Sequence, residues 1–230
     1  CVNLGEVRFG AGLSSIGISA FEDTALYWVQ LPASLAYLYN RAFANCVNLK
    51  EVNLPRGLRP VGSEVFADCP NLTLKVYKGS PGHAYALDNH IQHQVVPESI
   101  RLPATASVTK GSQVQLQASA EPPEANQEAL WSSSDNNIAT VDDKGLVTGV
   151  VPGTATITAT AKLDSGVKGT CSVTVYPKPP AEFTYEHNLV GITITGYTGS
   201  AAEVTVPGEI EGKPVLFIDM NAFKEKTGIT

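Results

Sequence analysis

The chain has 230 residues, 43% of them apolar and 17% charged, with a formal net charge of −6. This is the balance of a globular protein, and its acidic sign, with no basic stripe, argues against nucleic acid or an anionic membrane as partner. The longest apolar stretch, Ala25 to Tyr39, is broken by Gln30 and Pro32 and is shorter than the ~20 residues of a spanning helix, so no membrane insertion is expected.

Taken from the start, the first ninety residues repeat themselves. Phe21, Phe43 and Phe66 fall 22 and 23 residues apart, and each follows a valine, Val7, Val29 or Val52, by 14 residues. Between these anchors the apolar positions correspond: Phe9, Leu31 and Leu54; Leu13, Leu35 and Leu58; Ile16, Leu38 and Val61. A unit this short cannot bury its own apolar stripe, so the coils are expected to stack as a solenoid whose strands pair in parallel. After Phe66 the rhythm shortens. Leu74 to Tyr77 still alternates like a strand, Lys78 to Gly82 turns, His83 to Leu87 fits a short helix and Ile91 to Val96 a last strand, together capping the final coil.

The fullest copy of the pattern, Ala42 to Phe66, reads Ala-Phe-x-x-Cys-x-x-Leu-x-x-Val-x-Leu-Pro-x-x-Leu-x-x-Val-Gly-x-x-x-Phe. It resembles the BspA-like leucine-rich repeats of bacterial surface proteins, over residues 1–94 and again over 182–230. The resemblance implies an arc-shaped solenoid, secretion, an extracellular or cell-surface location, and adhesive or host-interaction roles. Cys1, Cys46 and Cys69 share one repeat position with Thr24. In-register rungs sit ~4.8 Å apart with side chains pointing the same way, whereas a disulfide draws its Cβ atoms to ~3.8 Å, so a column of free buried thiols is expected. The chain starts on Cys1 within a repeat and stops at Thr230 just after another Ala-Phe pair, and is read as a fragment of a longer exported protein.

From Ser99 the period changes to short strands between turn clusters: Ser99–Leu102, Gln113–Ala118, Ala129–Ser132, Ile138–Val141, Gly145–Val150, Gly153–Thr160 and Gly169–Val175. Seven such strands around Trp131 predict a β-sandwich. Thr154, Thr156, Thr158 and Thr160 alternate with Ala155, Ile157, Ala159 and Ala161, setting a wet face against a core face. Cys171 shares a face with Val173 and Val175, opposite Val114, Leu116 and Ala118, and has no bridge partner there. Thr109-Lys110-Gly111, Trp131 to Asp135, Ile138 to Val141, Gly145-Leu146-Val147 and Gly153 to Ile157 resemble the bacterial immunoglobulin-like domains of group two. That resemblance implies a surface spacer or adhesin module and supplies no catalytic residue.

Pro177, Pro179 and Pro180 make a stiff linker. Phe183 to Tyr185 and Ile192 to Tyr197 then read as a strand pair, followed by Val204, Val206, Val215, Ile218, Ala222 and Phe223, the start of a second solenoid. The expected architecture is mainly β: repeats with their cap at 1–96, an immunoglobulin-like sandwich at 97–176, a linker at 177–181, and a truncated second repeat domain at 182–230. In that last domain Val204, Val206 and Ile218 would lack a covering rung.

A hydrolase needs a nucleophile beside a base or a pair of carboxylates in a cleft, and neither constellation stands out. No catalytic residue, cofactor or metal site is expected. Among His83, His90, His93 and His187 only His90 and His93 stand three apart, and they read as surface residues rather than zinc ligands. Glu121 and Glu124 flank Pro122-Pro123 in what reads as a solvated loop. Asp135 to Asn137 and Asp142 to Gly145 offer oxygens to calcium, but turn chemistry accounts for both.

Two surfaces are candidates for binding. Tyr27 and Trp28 stand where other coils carry Gly5-Glu6 and Lys50-Glu51, and Tyr39 replaces the glycine found at Gly17 and Gly62, with Tyr37 nearby. Aromatic side chains at polar positions suit a peptide, protein or glycan partner, or else they pack on one another and on the next coil. The second surface is the outward strand column Arg8, Gln30, Asn53 and Lys75. The leading expectation is a non-catalytic surface fragment whose solenoid contacts a host matrix protein or glycan while the sandwich acts as a spacer. The alternative is a structural spacer that associates head to tail through open solenoid ends.

Overall fold

A computed structural model describes residues 3–178, 182–200 and 203–224. Cys1 of the cysteine column, Pro179 and Pro180 of the linker, and Thr230 lie outside them. The fold is mainly β, with strands β1 Glu6–Arg8, β2 Ser15–Ile16, β3 Trp28–Gln30, β4 Tyr37–Leu38, β5 Glu51–Asn53 and β6 Thr73–Val76 before helix α1, Pro81–Asp88. There follow β7 His93–Val95, β8 Ser99–Arg101, β9 Thr105–Thr109, β10 Gln113–Gln115, β11 Ser119–Glu121, β12 Ala129–Ser133, β13 Ala139–Val141 and β14 Leu146–Gly149. The long β15 Gly153–Ala161 and β16 Lys168–Tyr176 precede β17 Phe183–His187, β18 Ile192–Tyr197, β19 Glu209–Ile210 and β20 Lys213–Ile218. The chain divides into two units: Cys1–Ile100 with Ser119–Glu128 and Ala161–Val167, and Arg101–Ala118 with Ala129–Thr160 and Lys168–Thr230.

In the first unit the repeat period becomes a parallel sheet, β1-β3-β5-β6-β7, in which Val7 faces Val29, Val29 faces Val52 and Val52 faces Leu74. A second, two-stranded sheet pairs β2 with β4 through Ile16 and Leu38. The phenylalanine period puts one ring on the next. Phe21 and Phe43 stack at 5.2 Å and Phe43 and Phe66 at 5.5 Å, while Phe9 and Tyr85 close the two ends of the row edge-on. Two positions per coil, two before and two after each phenylalanine, have left-handed backbone: Ser19 and Asp23, Arg41 and Asn45, Glu64 and Asp68. The same tight turn is thereby built three times. Arg41 ties three coils by donating to Glu22 at 2.6 Å and Glu64 at 2.5 Å.

The cysteine column has a reason beyond packing. Thr24 Oγ1 and Cys46 Sγ both donate to the Phe21 carbonyl, at 2.8 and 3.2 Å, and Cys69 Sγ donates to the Phe43 carbonyl at 3.2 Å. Cys46 and Cys69 of the column are free thiols, Cys46 buried and Cys69, against expectation, only partly so; Cys171 in the sandwich is a buried free thiol. Hydrogen bonding to Cys46, and then burial, holds the Cys69 thiol well above its ordinary range. Cys69→Ala should lower stability by about 1 kcal/mol by removing a donor from a carbonyl inside the turn. Cys69→Ser, which keeps one, should lose less in urea titration, and equal loss from both would show that the column only fills space.

The cap forms as its residues dictate. Ser80 Oγ accepts from the His83 backbone N–H at 3.1 Å and Pro81 occupies the first turn, so the helix begins two residues before the expected His83. The last strand is shorter than expected, His93–Val95, and the edge beyond it is covered. Ala125 bridges to Val95, Asn126 N–H donates to the Val95 carbonyl at 3.0 Å, and Lys78 pairs with Glu124 at 2.6 Å. The Pro122-Pro123 loop, expected to be merely solvated, thus caps a sheet edge, the usual remedy for exposed strand hydrogen-bonding groups.

In the second unit, sheets β12-β15-β16-β9 and β10-β14-β13 face each other over one core. That core contains Val108, Leu116, Ala139, Val147, Ala155, Ile157, Cys171, Val173 and Val175, with Trp131 packed against it. The Thr/Ala alternation of β15 is realised with its alanines and Ile157 buried. Two expectations need correction. The stretch Gln113–Ala118 is not one strand: β10 ends at Gln115, and β11 pairs instead with β8. Strand β9, unmarked in the sequence because Thr105-Ala106-Ser107 offers little apolar contrast, pairs in parallel with β16.

At the C-terminal side of this unit, β17 and β18 form the expected antiparallel pair and β18 pairs in parallel with β20. The inter-coil contact of the first solenoid recurs. Tyr197 N–H donates to the Ala222 carbonyl at 2.8 Å, as Phe21 N–H does to Ala42, and Tyr197 stacks on Phe223 at 5.5 Å. Ile218, which holds the repeat position of Leu38, is 50% exposed where Leu38 is 2% exposed. Val204 and Val206, expected to be uncovered too, are instead partly buried against the cluster of Phe183, Ile194, Tyr197 and Ala222.

Candidate functional site

Parallel register turns the repeat into rows of side chains. Glu6 aligns with Trp28 and Arg8 with Gln30; the Val29 to Val52 pairing continues these rows to Glu51 and Asn53, and thence to Thr73 and Lys75. Residues alternate across a strand, so both rows lie on the face opposite the buried valines. Of the pair Tyr27 and Trp28, only Trp28 belongs to these rows; Tyr27 precedes β3 and lines neither recess described below. The Tyr27 ring lies over Gly5, whose added Cβ would be 3.4 Å from it, and Trp28 remains 37% exposed in the outward row.

Trp28 lines a recess of about 500 Å³ with Arg8, Gln30, Pro32, Ala33 and Ser34. A second recess of about 500 Å³ shares Gln30 and Ala33 with it and continues past Asn53, Arg56, Lys75 and Tyr77 to Asp164. The two make one trough crossing the strands. The column Arg8, Gln30, Asn53 and Lys75 is therefore brought together with Trp28, with one qualification of geometry. Lys75 is not a free surface cation: its side chain is 14% exposed and bonded to Glu51 at 2.5 Å.

Tyr37 and Tyr39 lie elsewhere. Tyr37 opens β4 in the second sheet and Tyr39 follows it; they stack on each other at 6.1 Å, and they do not line the trough. The four aromatics expected as one group are thus divided between two surfaces.

Charge in the trough is balanced pairwise. Arg8 bonds Glu6 at 3.0 Å, Lys75 bonds Glu51, and Arg56 bonds Glu98 while lying over the Tyr77 ring at 5.3 Å. Burial, first among several influences, pushes the Tyr77 hydroxyl above its ordinary pKa. Asp164 is also committed, accepting from the Gly166 N–H at 2.9 Å.

A recess of about 440 Å³ lies at the cap, lined by Lys78, His83, His93, Glu124 and Asn126. His83 and His93 meet edge to face at 5.3 Å, a juxtaposition the sequence did not reveal because a helix and a turn separate them. His83 Nδ1 accepts from the Gly79 N–H at 3.1 Å, and burial followed by the proximity of His93 lowers the His83 pKa. The oxygen-rich turns of the sandwich are occupied by backbone. Asp142 Oδ1 accepts from the Lys144 and Leu146 N–H groups at 2.9 and 2.8 Å, which lowers its pKa, and Asp135 Oδ1 accepts from Asn137 at 2.8 Å. Among the described residues no cluster of three or more His, Cys, Asp or Glu is arranged to hold a metal ion. No helix among them is long and apolar enough to cross a membrane.

Comparison with known proteins adds the following. A family model of the BspA type leucine rich repeat region (6 copies) matches residues 1–80, and one of the bacterial Ig-like domain (group 2) matches residues 97–173. The chain is 43% identical over 79 residues to a 3-O-alpha-D-galactosyl-alpha-L-arabinofuranosidase of Bifidobacterium longum subsp. longum, covering 34% of this chain and 7% of that protein. It is 41% identical over 68 residues to a lacto-N-biosidase of Bifidobacterium bifidum, covering 30% of this chain and 6% of that protein. The chain therefore spans only a small part of the length of these relatives. Among solved structures, surface layer protein SbsC, domains 1-6, matches with a TM-score of 0.32 and 21% identity, covering 45% of this chain and 16% of that one.

Proposed function

With a BspA type leucine rich repeat region at residues 1–80 and a bacterial Ig-like domain (group 2) at residues 97–173, we propose that the chain is a non-catalytic recognition segment of a bacterial cell-surface or extracellular protein. In this reading the solenoid presents the contact surface, the sandwich sets it at a distance, and the partner is a host matrix protein or a glycan. The observation that carries it is the trough, where exposed Trp28 and a row of polar side chains share one outward face. The relatives named as an arabinofuranosidase and a biosidase favour a setting in which such segments accompany chemistry on sugars. Asp164 in the trough lining, and Glu6 and Glu51 in the row of Trp28 beside it, are each committed to a structural partner, which favours binding over acid–base work.

The test is a printed array of glycans and extracellular-matrix proteins probed with the whole chain, with retained ligands recovered and weighed by mass spectrometry. Saturable binding without change in ligand mass is expected. Turnover of any ligand would overturn the non-catalytic assignment, and a blank array would overturn recognition.

A second reading has its own observation. Leu216, Phe217 and Ile218 of β20 are about half exposed and Met220, Leu189 and Val190 more so, and apolar strands of this kind template association. In that reading the chain is a spacer that associates head to tail through solenoid ends. Concentration-dependent growth in light scattering, abolished by Phe217→Lys, would support it; a strictly monomeric species would remove it.

A further inference from the structure

We propose that the trough over β1, β3, β5 and β6 is a binding site for a neutral glycan chain laid across the strands, with Trp28 as the platform for one sugar ring. The inference rests on the recognition reading above and narrows it to one chemical class. It begins with what a sugar presents: an apolar face of C–H groups and a rim of hydroxyls that each give and take hydrogen bonds. The first wants an exposed aromatic ring and the second wants planar groups carrying donors and acceptors together.

Both are on this face. Trp28 is 37% exposed and aligned with Glu6, so its indole has a carboxylate rather than another aromatic as row neighbour. In the adjacent row stand the carboxamides of Gln30 and Asn53, which make no side-chain hydrogen bond with any described residue. Each carboxamide offers two donors and an acceptor, and the rungs carrying them are ~4.8 Å apart, so four strands span ~14 Å, room for a short oligosaccharide. The two joined recesses follow that line.

Charge and backbone narrow the class further. Arg8, Arg56 and Lys75, the cations lining the trough, are each paired with a carboxylate, which leaves nothing to repay the desolvation of a sulfate or uronate. An extended peptide is commonly held by main-chain bonds to a free strand edge. Beneath the trough β3 is paired on both sides by β1 and β5, and β5 by β3 and β6, so no free strand edge lies under Gln30 and Asn53; the open edge of this sheet is that of β1, beside Arg8. A chain of sugar hydroxyls needs no strand edge, since carboxamide side chains offer it donors and acceptors together.

The test is titration calorimetry of the whole chain with neutral oligosaccharides chosen from the array, beside acidic glycans and matrix proteins, repeated with Trp28→Ala, with Asn53→Ala and with Tyr37→Ala. The expected result is retention of neutral glycans, a loss of tenfold or more in affinity with Trp28→Ala and a smaller loss with Asn53→Ala, all at an unchanged melting temperature. Binding that survives both changes, or that is lost with Tyr37→Ala instead, would overturn the trough. Binding of acidic glycans or of a matrix protein with neutral glycans blank would overturn the glycan class while leaving surface recognition standing. Absence of all binding would remove both.

Discussion

Phe43→Ala is expected to lower the stability of the first unit by about 3–5 kcal/mol, the usual cost of emptying a buried aromatic site. Phe43 is fully buried and stacked between Phe21 and Phe66, so truncation opens two coil interfaces at once. In a solenoid most stabilisation comes from neighbouring coils, and the gap cannot close without shifting strands that are already paired on both sides. Urea titration followed by near-ultraviolet circular dichroism would read the loss as an early transition, with the transition of the sandwich core little changed. A loss below 1 kcal/mol would mean that the row of rings contributes little to stacking.

Gly145→Ala should have a comparable effect on the second unit. Gly145 has a φ of +81°, where an L side chain is strained, and a Cβ there would lie 2.6 Å from the Trp131 ring and 2.8 Å from the Leu116 carbonyl. The ring cannot swing away cheaply, because Trp131 packs against the sandwich core. Strain and overpacking together should cost about 2–4 kcal/mol. Calorimetry should show a lowered sandwich transition, and emission spectra an altered tryptophan fluorescence; an unchanged transition would show that the turn yields without cost.

Much of this architecture was legible because repetition makes packing periodic. The regular spacing of Phe21, Phe43 and Phe66 and of the valines specified stacked coils with strands in parallel register, and the structure adds that the phenylalanine rings lie on one another. The cysteine column was legible as thiols but not as donors, because the carbonyls they satisfy belong to phenylalanines a coil earlier. Strand β9 was missed where small residues blur the alternation, and the edge-covering role of residues 119–128 was hidden by their loop composition.

The candidate face was legible in half. The outward column could be read from register, whereas the division of the aromatics could not. Tyr37 and Tyr39 resemble Trp28 as substitutions of polar positions, yet the turn at Pro32 to Ala36 carries the chain from one sheet to the other. The His83 and His93 pair had no signal in spacing at all, since only the cap helix brings the rings together.

The most direct measurement is hydrogen–deuterium exchange of the whole chain, free and saturated with the ligand it holds most tightly on the array. Slower exchange confined to peptides covering Trp28 to Ser34 and Asn53 to Gly57 is the predicted result, with strands β12 to β16 unaffected. Protection in the sandwich strands, with the solenoid unchanged, would contradict the assignment of recognition to the repeats.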